Sequence, residues 1–156
     1  MKKILIMLSC LLTISILACC NNEKENIDRD GNVVKIEFNY TDYMGGAERN
    51  LEFDFIENKV TVTNINPENE EYNSENVYEL DPDKYQTLFD ELKNCGFFRL
   101  KESYYLKADD GGELEIVVTY EDGSVFKTLC VNTTIGIENE MYEAFYNLLG
   151  RNMKEL

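Results

Sequence analysis

Apolar and polar residues alternate along several stretches of the chain, and this two-residue period is typical of strands with one buried face. In the first stretch, Val34, Ile36 and Phe38 alternate with polar residues. The same alternation recurs in NLEFDF, KVTVTNI, ELEIVVTY and VFKTLCVN, and VYEL is a shorter extended segment. The pattern therefore predicts a sheet of short strands.

Turn-forming residues separate these strands and predict how they are joined. Gly45-Gly46 follows the first strand, and Glu57-Asn58 separates the second from the third. Asp122-Gly123 separates the last two strands, and an Asp-Gly pair at this place is a signal for a type I′ turn. Consecutive strands are therefore predicted to pair as hairpins.

Two segments instead repeat apolar residues every three to four positions, the period of an amphipathic helix. Asp81 is a good N-cap for the first segment, Pro82 suits its first position, and Gly96 suits its end. Its apolar stripe comprises Tyr85, Leu88, Phe89, Leu92 and Cys95. The second segment ends at Gly150, and its stripe comprises Met141, Ala144, Phe145, Leu148 and Leu149.

Runs of strands with one helix between them and one at the end predict an α+β fold. We expect an antiparallel β-sheet built from hairpins with two helices packed on one face. Residues 33–150 form this single domain. They are preceded by a leader at residues 1–18 and a polar, flexible tether at residues 19–32, and residues 151–156 form a tail.

The first residues have the layout of an export signal. Lys2 and Lys3 precede an apolar run that ends at Ala18 and is too short to span a bilayer as a helix. The run closes with Ile16-Leu17-Ala18-Cys19, which resembles the lipobox of bacterial lipoproteins. This resemblance implies cleavage before Cys19, acylation of its thiol with chains such as palmitate, and anchoring in the cell envelope, on the outer membrane or the outer face of the cytoplasmic membrane. An ordinary signal peptide is the alternative.

Charge and composition limit the classes of function. The chain has 30 acidic and 15 basic residues, a net charge of −15, and neither His nor Trp. Such an acidic surface repels phosphates, so no nucleic acid is expected as a partner. Without His, a Ser-His-Asp or Cys-His catalytic apparatus is excluded. We expect no cofactor and no enzymatic activity.

Two groups of residues are candidate sites. Asp109, Asp110 and Glu113 form the densest oxygen cluster, which suits a hard cation such as Ca²⁺, or else a solvated loop without a ligand. Cys95 and Cys130 are the only cysteines inside the domain, and an exported protein permits a disulfide between them. They fit equally well as separate, buried, small apolar residues.

The order of elements also resembles small domains of uncharacterised bacterial envelope lipoproteins. The shared features are a helix that ends in Gly-Phe-Phe, a hairpin with an Asp-Gly turn, and a last helix that includes FYNLL. The resemblance implies a fold and a compartment, with no assigned activity. We therefore expect a membrane-anchored lipoprotein that binds a protein or another envelope component. The alternatives are an inhibitor or immunity-type protein that neutralises a basic partner, and a carboxylate-based metal-binding or hydrolytic protein.

Overall fold

The structure is a computed structural model that describes residues 31–107 and 111–151. It has a mixed α+β fold, in which one sheet of seven strands is combined with two helices. The strands are β1 (Val33–Asp42), β2 (Glu48–Asp54), β3 (Lys59–Ile65), β4 (Ser74–Glu79), β5 (Ser103–Tyr105), β6 (Gly112–Tyr120) and β7 (Val125–Val131). The helices are α1 (Tyr85–Cys95) and α2 (Glu138–Leu149).

The strands lie in the order β4-β3-β2-β1-β6-β7-β5 across the sheet. The β1–β6 pair at the centre joins strands that are far apart in sequence, with Ile36 opposite Val118 and Phe38 opposite Ile116. On the other side of β1, the same residues lie opposite Phe53 and Leu51 of β2. This register places apolar side chains in continuous rows across the middle of the sheet.

One strand departs from the expected antiparallel arrangement. β5 pairs with β7 in parallel, so the sheet is mixed. The chain enters β5 after three buried residues beyond α1, Phe97, Phe98 and Leu100, which hold this connection against the core. Backbone hydrogen bonds then secure both ends of β5, from Leu129 N to the carbonyl of Glu102 and from Leu106 N to the carbonyl of Val131. The short polar segment carries no periodic pattern that would indicate this pairing.

The first helical segment begins and ends at the expected residues. Asp81 accepts a hydrogen bond from Asp83 N at 3.1 Å and caps a 3₁₀ turn at Pro82–Lys84, from which α1 continues. Gly96 ends α1 in the left-handed conformation, with φ of 86°. Local capping thus determines both ends of the helical segment.

Aromatic rings join the helices to the sheet. The ring of Phe145 in α2 lies 5.3 Å from that of Phe38 and 4.6 Å from that of Phe53, measured between ring centroids. In α1, the rings of Tyr85 and Phe89 lie 5.0 and 5.1 Å from that of Phe55. Because aromatic side chains bury large apolar areas, these contacts are central to the core.

The predicted type I′ turn between β6 and β7 is wrong. A type I′ turn requires a positive φ at both central residues, and of the pair only Gly123 has one, at 81°. Gly123 N donates to the carbonyl of Tyr120, and Ser124 N donates to the Asp122 carboxylate at 2.8 Å. This side-chain bond stabilises a longer loop with a single left-handed residue.

Thr128 on β7 is the one fully buried polar residue of the described core, and its hydroxyl has no hydrogen-bond partner among the described residues. We expect Thr128→Val to raise the free energy of unfolding by about 1 kcal/mol, because it removes a hydroxyl that loses its water on folding. Urea unfolding of both proteins measures this difference. Thr61→Val, at a partly exposed position of β3, is the control and should change stability little. A destabilised Thr128→Val protein would contradict the prediction.

Candidate functional site

Four strand termini meet at one end of the sheet, which we call the Gly112 end. Register places Thr41 of β1 opposite Glu48 of β2 and Glu113 of β6. Glu113 in turn lies opposite Val131, the last residue of β7. The Gly112 end carries a cavity beside α2 and an exposed cluster of aromatic and apolar side chains.

Gly112 is required by the close packing at this end. A Cβ atom added there would lie 2.8 Å from the carbonyl oxygen of Thr41 and 2.9 Å from the hydroxyl of Tyr40. Both distances are shorter than a van der Waals contact, and the first involves backbone that cannot easily move. The absence of a side chain at this position therefore lets β6 approach Tyr40 closely.

The cavity has a volume of about 540 Å³ and lies over the last row of side chains on the sheet. That row runs across the neighbouring strands β2, β1, β6 and β7, and each residue lies opposite the next. It comprises Arg49, Tyr40, Leu114 and Cys130. Phe38 and Leu51 from the next row also line the cavity. Its floor is therefore largely apolar, with one guanidinium group at the β2 side.

The start of α2 and the preceding loop form the wall. Glu138 and Tyr142 line the cavity from the helix, and Asn132, Thr133 and Thr134 line it from the loop. The two carboxylate oxygens of Glu138 accept hydrogen bonds from the backbone N–H groups of Ile135 and Gly136, the latter at 2.9 Å. Glu138 thus holds the loop against the helix through two charge-assisted hydrogen bonds.

Two opposite charges act on the hydroxyl of Tyr142. Burial, followed by the nearby carboxylate of Glu138, raises the pKa of Tyr142, whereas the positive charge of Arg49 lowers it. The net shift is upward, so this phenol remains a neutral hydrogen-bond donor at neutral pH. The arrangement also shows that Arg49 and Glu138 are both close to Tyr142, although they come from different elements.

Four exposed side chains form a second feature of the Gly112 end, which we call the tyrosine patch: Tyr43, Met44, Tyr105 and Leu106. Between 50% and 76% of the surface of each is exposed. The hydroxyl of Tyr43 donates a hydrogen bond to Glu113 at 2.7 Å, and this bond is the main cause of its raised pKa. Tyr105 also contributes electrostatically to that shift, so the two tyrosines are close although they lie on segments far apart in sequence.

The candidate cation cluster is only partly described. Asp109 and Asp110 lie outside the described residues, whereas Glu113 is at the start of β6 and its carboxylate accepts the bond from Tyr43. Among residues 31–107 and 111–151, no group of three or more cysteine or carboxylate side chains is arranged to hold a metal ion. Cation binding by the full cluster remains a prediction.

Cys95 and Cys130 are free thiols in this structure. Cys95 is partly buried on α1, and its thiol contacts the carbonyl of Leu92 at 3.3 Å. Cys130 is buried on β7, where loss of hydration raises its pKa to about 11. Both thiols therefore occupy the positions expected of small apolar residues, the alternative to a disulfide.

The predicted lipidation site Cys19, the leader before it and most of the tether lie outside the described residues. In the described part of the chain, neither helix has the length and apolar character needed to cross a bilayer. Anchoring through Cys19 therefore remains a prediction from the lipobox.

Sequence reasoning missed the cavity, because its lining comes from four strands, a loop and a helix. Two local signals are informative in retrospect. Gly111 and Gly112 stand next to each other at the start of β6, and Asn132 has a positive φ of 54° just after β7. Both mark unusual backbone at the same end of the sheet.

A comparison with models of protein families gives no match to this chain, and a comparison with curated proteins gives none either.

Proposed function

We propose that this chain is a lipid-anchored, non-enzymatic domain of the bacterial envelope that binds a protein partner through the tyrosine patch. The anchor is the acylated Cys19, and the tether at residues 19–32 separates it from the domain. The observation that supports the binding role is the proximity of the exposed Tyr43 and Tyr105 at one end of the sheet, where each is followed in sequence by an exposed apolar residue, Met44 or Leu106.

The composition of the patch supports a protein as the partner. Tyrosine and methionine are enriched at protein interfaces, and tyrosine buries a large area at a small entropic cost. Exposed apolar side chains that cluster, rather than being scattered, are typical of interaction sites. Asp42 and Glu113 border the patch, and Asp42 is bonded to Met44 N at 2.9 Å, which stabilises the turn that presents Met44.

We further propose that antiparallel strands that follow one another in the chain are joined as hairpins, and that both helices cover the same face of the sheet. The contacts of Phe145 with Phe38 and of Phe89 with Phe55 support this arrangement. The opposite face then carries alternating polar residues, among them the ion pair of Lys35 with Glu52, whose charged atoms are 3.1 Å apart. The tyrosine patch adjoins this polar face at the Gly112 end.

An inhibitor that neutralises a basic partner is the second candidate, and the acidic border of the patch favours it. The two candidates differ in their response to salt. An interface held by charges weakens as ionic strength rises, since exposed charges are screened over about 8 Å at physiological salt. An interface held by buried aromatic area is much less sensitive.

Site-specific photo-crosslinking in intact envelopes tests the proposal. With p-benzoylphenylalanine at position 105, we expect one dominant adduct, and Met44→Asp should reduce its yield at least fivefold. The control places the same probe at Tyr146, which is 50% exposed on α2 outside the patch. Identical adducts from both positions, or none from position 105, would refute the patch as the binding surface. Loss of the adduct in 0.5 M salt would favour the charge-neutralising candidate.

A further inference from the structure

We propose that the free edge of β4 pairs with an extended segment of another polypeptide, in which two basic side chains flank an apolar one at alternate positions. β4 is the last strand on its side of the sheet, and β3 is the one strand of the described residues that pairs with it. Addition of a strand to an exposed sheet edge is a common mode of peptide recognition. This edge lies across the sheet from β5, so the inference does not depend on the tyrosine patch.

The hydrogen-bond pattern indicates which backbone groups of β4 are available to a partner. Leu80 N donates to the carbonyl of Asn58 at 2.8 Å, and the antiparallel register of β3 and β4 continues from this pair without a shift. In an antiparallel pair, the backbone groups of successive residues point alternately toward the neighbouring strand and away from it. The N–H and C=O groups of Glu75, Val77 and Glu79 therefore point toward the free edge, and all three residues are exposed.

The side chains of these three residues lie on one face of the sheet, in the order acidic, apolar, acidic. The apolar one, Val77, has 57% of its surface exposed. Neither Glu75 nor Glu79 forms a hydrogen bond or an ion pair through its carboxylate within the described residues. Lys59 lies opposite Glu79 but is paired with Glu57, so three carboxylates and one ammonium group leave this edge with a net charge of −2.

Charge complementarity selects a basic strand. Residues 60–83, which include β4 and the segments on both sides of it, contain seven acidic residues and no basic one. Oppositely charged residues that lie directly across a strand pair stabilise it, and like charges destabilise it. A strand that places basic side chains opposite Glu75 and Glu79 and an apolar side chain opposite Val77 therefore fits this edge.

A second copy of this chain fits the same edge poorly. If two β4 strands paired antiparallel about Val77, Glu75 of each copy would lie opposite Glu79 of the other. The net charge of −15 adds repulsion between whole chains. Charged side chains on edge strands are a common protection against self-association. The two glutamates thus oppose self-pairing and favour a cationic strand.

The edge is held in place before a partner binds. The side chain of Tyr78 points to the face opposite that of the two glutamates, where it packs against the core. The guanidinium carbon of Arg151 lies 4.9 Å from the centroid of this ring, a cation–π contact between the end of the described chain and β4. A fixed edge reduces the entropic cost of adding a strand.

Fluorescence anisotropy with labelled peptides tests this inference on the full chain in phosphatidylcholine nanodiscs, with empty nanodiscs as the blank. The probe is the heptapeptide TKTVTKT, whose lysines lie opposite Glu75 and Glu79 when its valine lies opposite Val77. We expect saturable binding, and binding about fivefold weaker for TTKVKTT, which has the same composition but turns its lysines to the other face. The acidic peptide TETVTET and the peptide SENVYEL, a copy of residues 74–80, should show no saturable binding.

N-methylation of the probe separates backbone pairing from attraction between charges. In the expected register, the N–H group of the peptide valine faces β4, and those of the adjacent threonines face away. A methyl group on the valine nitrogen should therefore weaken binding about tenfold, because it removes a hydrogen bond at the centre of the pair. A methyl group on the preceding threonine nitrogen is the matched control and should have little effect.

Variants of the chain test the same contacts from the other side. Glu75→Gln combined with Glu79→Gln should weaken binding of TKTVTKT about fivefold. Glu140→Gln combined with Glu143→Gln removes the same charge from exposed positions of α2 and should leave binding unchanged. Val77→Pro should abolish binding, because it removes an N–H group from the free edge while the bonds to β3 remain. Unchanged melting temperatures establish that each variant is folded, and the N-methylated peptides test the same hydrogen bond without any change to the chain.

Four results would overturn the inference. They are no saturable binding of TKTVTKT, equal effects of the two N-methyl groups, equal effects of the two pairs of glutamine substitutions, and saturable binding of SENVYEL. The last result would identify a second copy of the chain as the occupant of the edge.

Discussion

Replacement of Phe145 by alanine is expected to lower the free energy of unfolding by about 3–5 kcal/mol. Phe145 is 0% exposed, and its ring contacts those of Phe38 on the central strand β1 and Phe53 on the neighbouring strand β2. Truncation removes the apolar surface that joins α2 to the sheet and leaves a cavity that the rigid strands cannot close. It also removes two aromatic contacts, each worth roughly 0.5–1.5 kcal/mol beyond the burial of area.

Urea unfolding monitored by circular dichroism measures this loss, and the neighbouring residue is a matched control. Tyr146 follows Phe145 on the same helix but is 50% exposed, so Tyr146→Ala should change the free energy of unfolding by less than about 1 kcal/mol. Because alanine is the best helix former, helix propensity cannot cause a loss in either variant, and similar losses for both would show that burial of the Phe145 ring does not set the effect. A loss below about 1.5 kcal/mol for Phe145→Ala would contradict the central position of this ring.

Cys19→Ala is expected to abolish both palmitate incorporation and stable membrane attachment. The lipobox interpretation makes this thiol the acylated atom, and alanine has no nucleophile to accept a lipid. Each buried methylene contributes about 0.8 kcal/mol to membrane binding, so removal of two or three acyl chains eliminates most of the attachment energy. The domain itself, at residues 33–150, should keep its stability.

Radiolabelled palmitate and membrane fractionation measure the two expected losses separately. Cys20→Ala is the matched control, since it removes the adjacent thiol without affecting the lipobox, and it should be labelled like the wild type. Equal labelling of Cys19→Ala and wild type would refute the lipobox interpretation. Labelling lost only in Cys20→Ala would move the anchor by one residue.

Local sequence patterns predicted much of the secondary structure. The alternation around Ile36 and Phe38 corresponds to β1, and the stripes ending at Gly96 and Gly150 correspond to α1 and α2. Asp81 caps the first helical segment as expected. These features depend on residues within a few positions of one another, so they can be recognised without knowledge of the tertiary structure.

The sequence patterns were wrong about one turn and did not indicate one strand. The Asp122-Gly123 pair was expected to form a type I′ turn, but the Asp122 carboxylate bonds to Ser124 N and stabilises a different loop. β5 was not predicted, because three residues are too few to show a period. β5 pairs with β7 because the buried residues after α1 hold the connecting backbone against the core, beside β7.

The sequence by itself determined the described strands other than β5, the helix ends and the acidic character, because each depends on composition or on neighbours in the chain, and it predicts a lipid anchor at Cys19. Only the tertiary structure decided that β1 pairs with β6, that Tyr43 meets Glu113, and that Arg49 and Tyr142 share a cavity. These pairs are separated by about 70 residues or more. Their proximity results from the order and register of strands, in which the burial of the whole apolar surface, rather than any local motif, selects one arrangement.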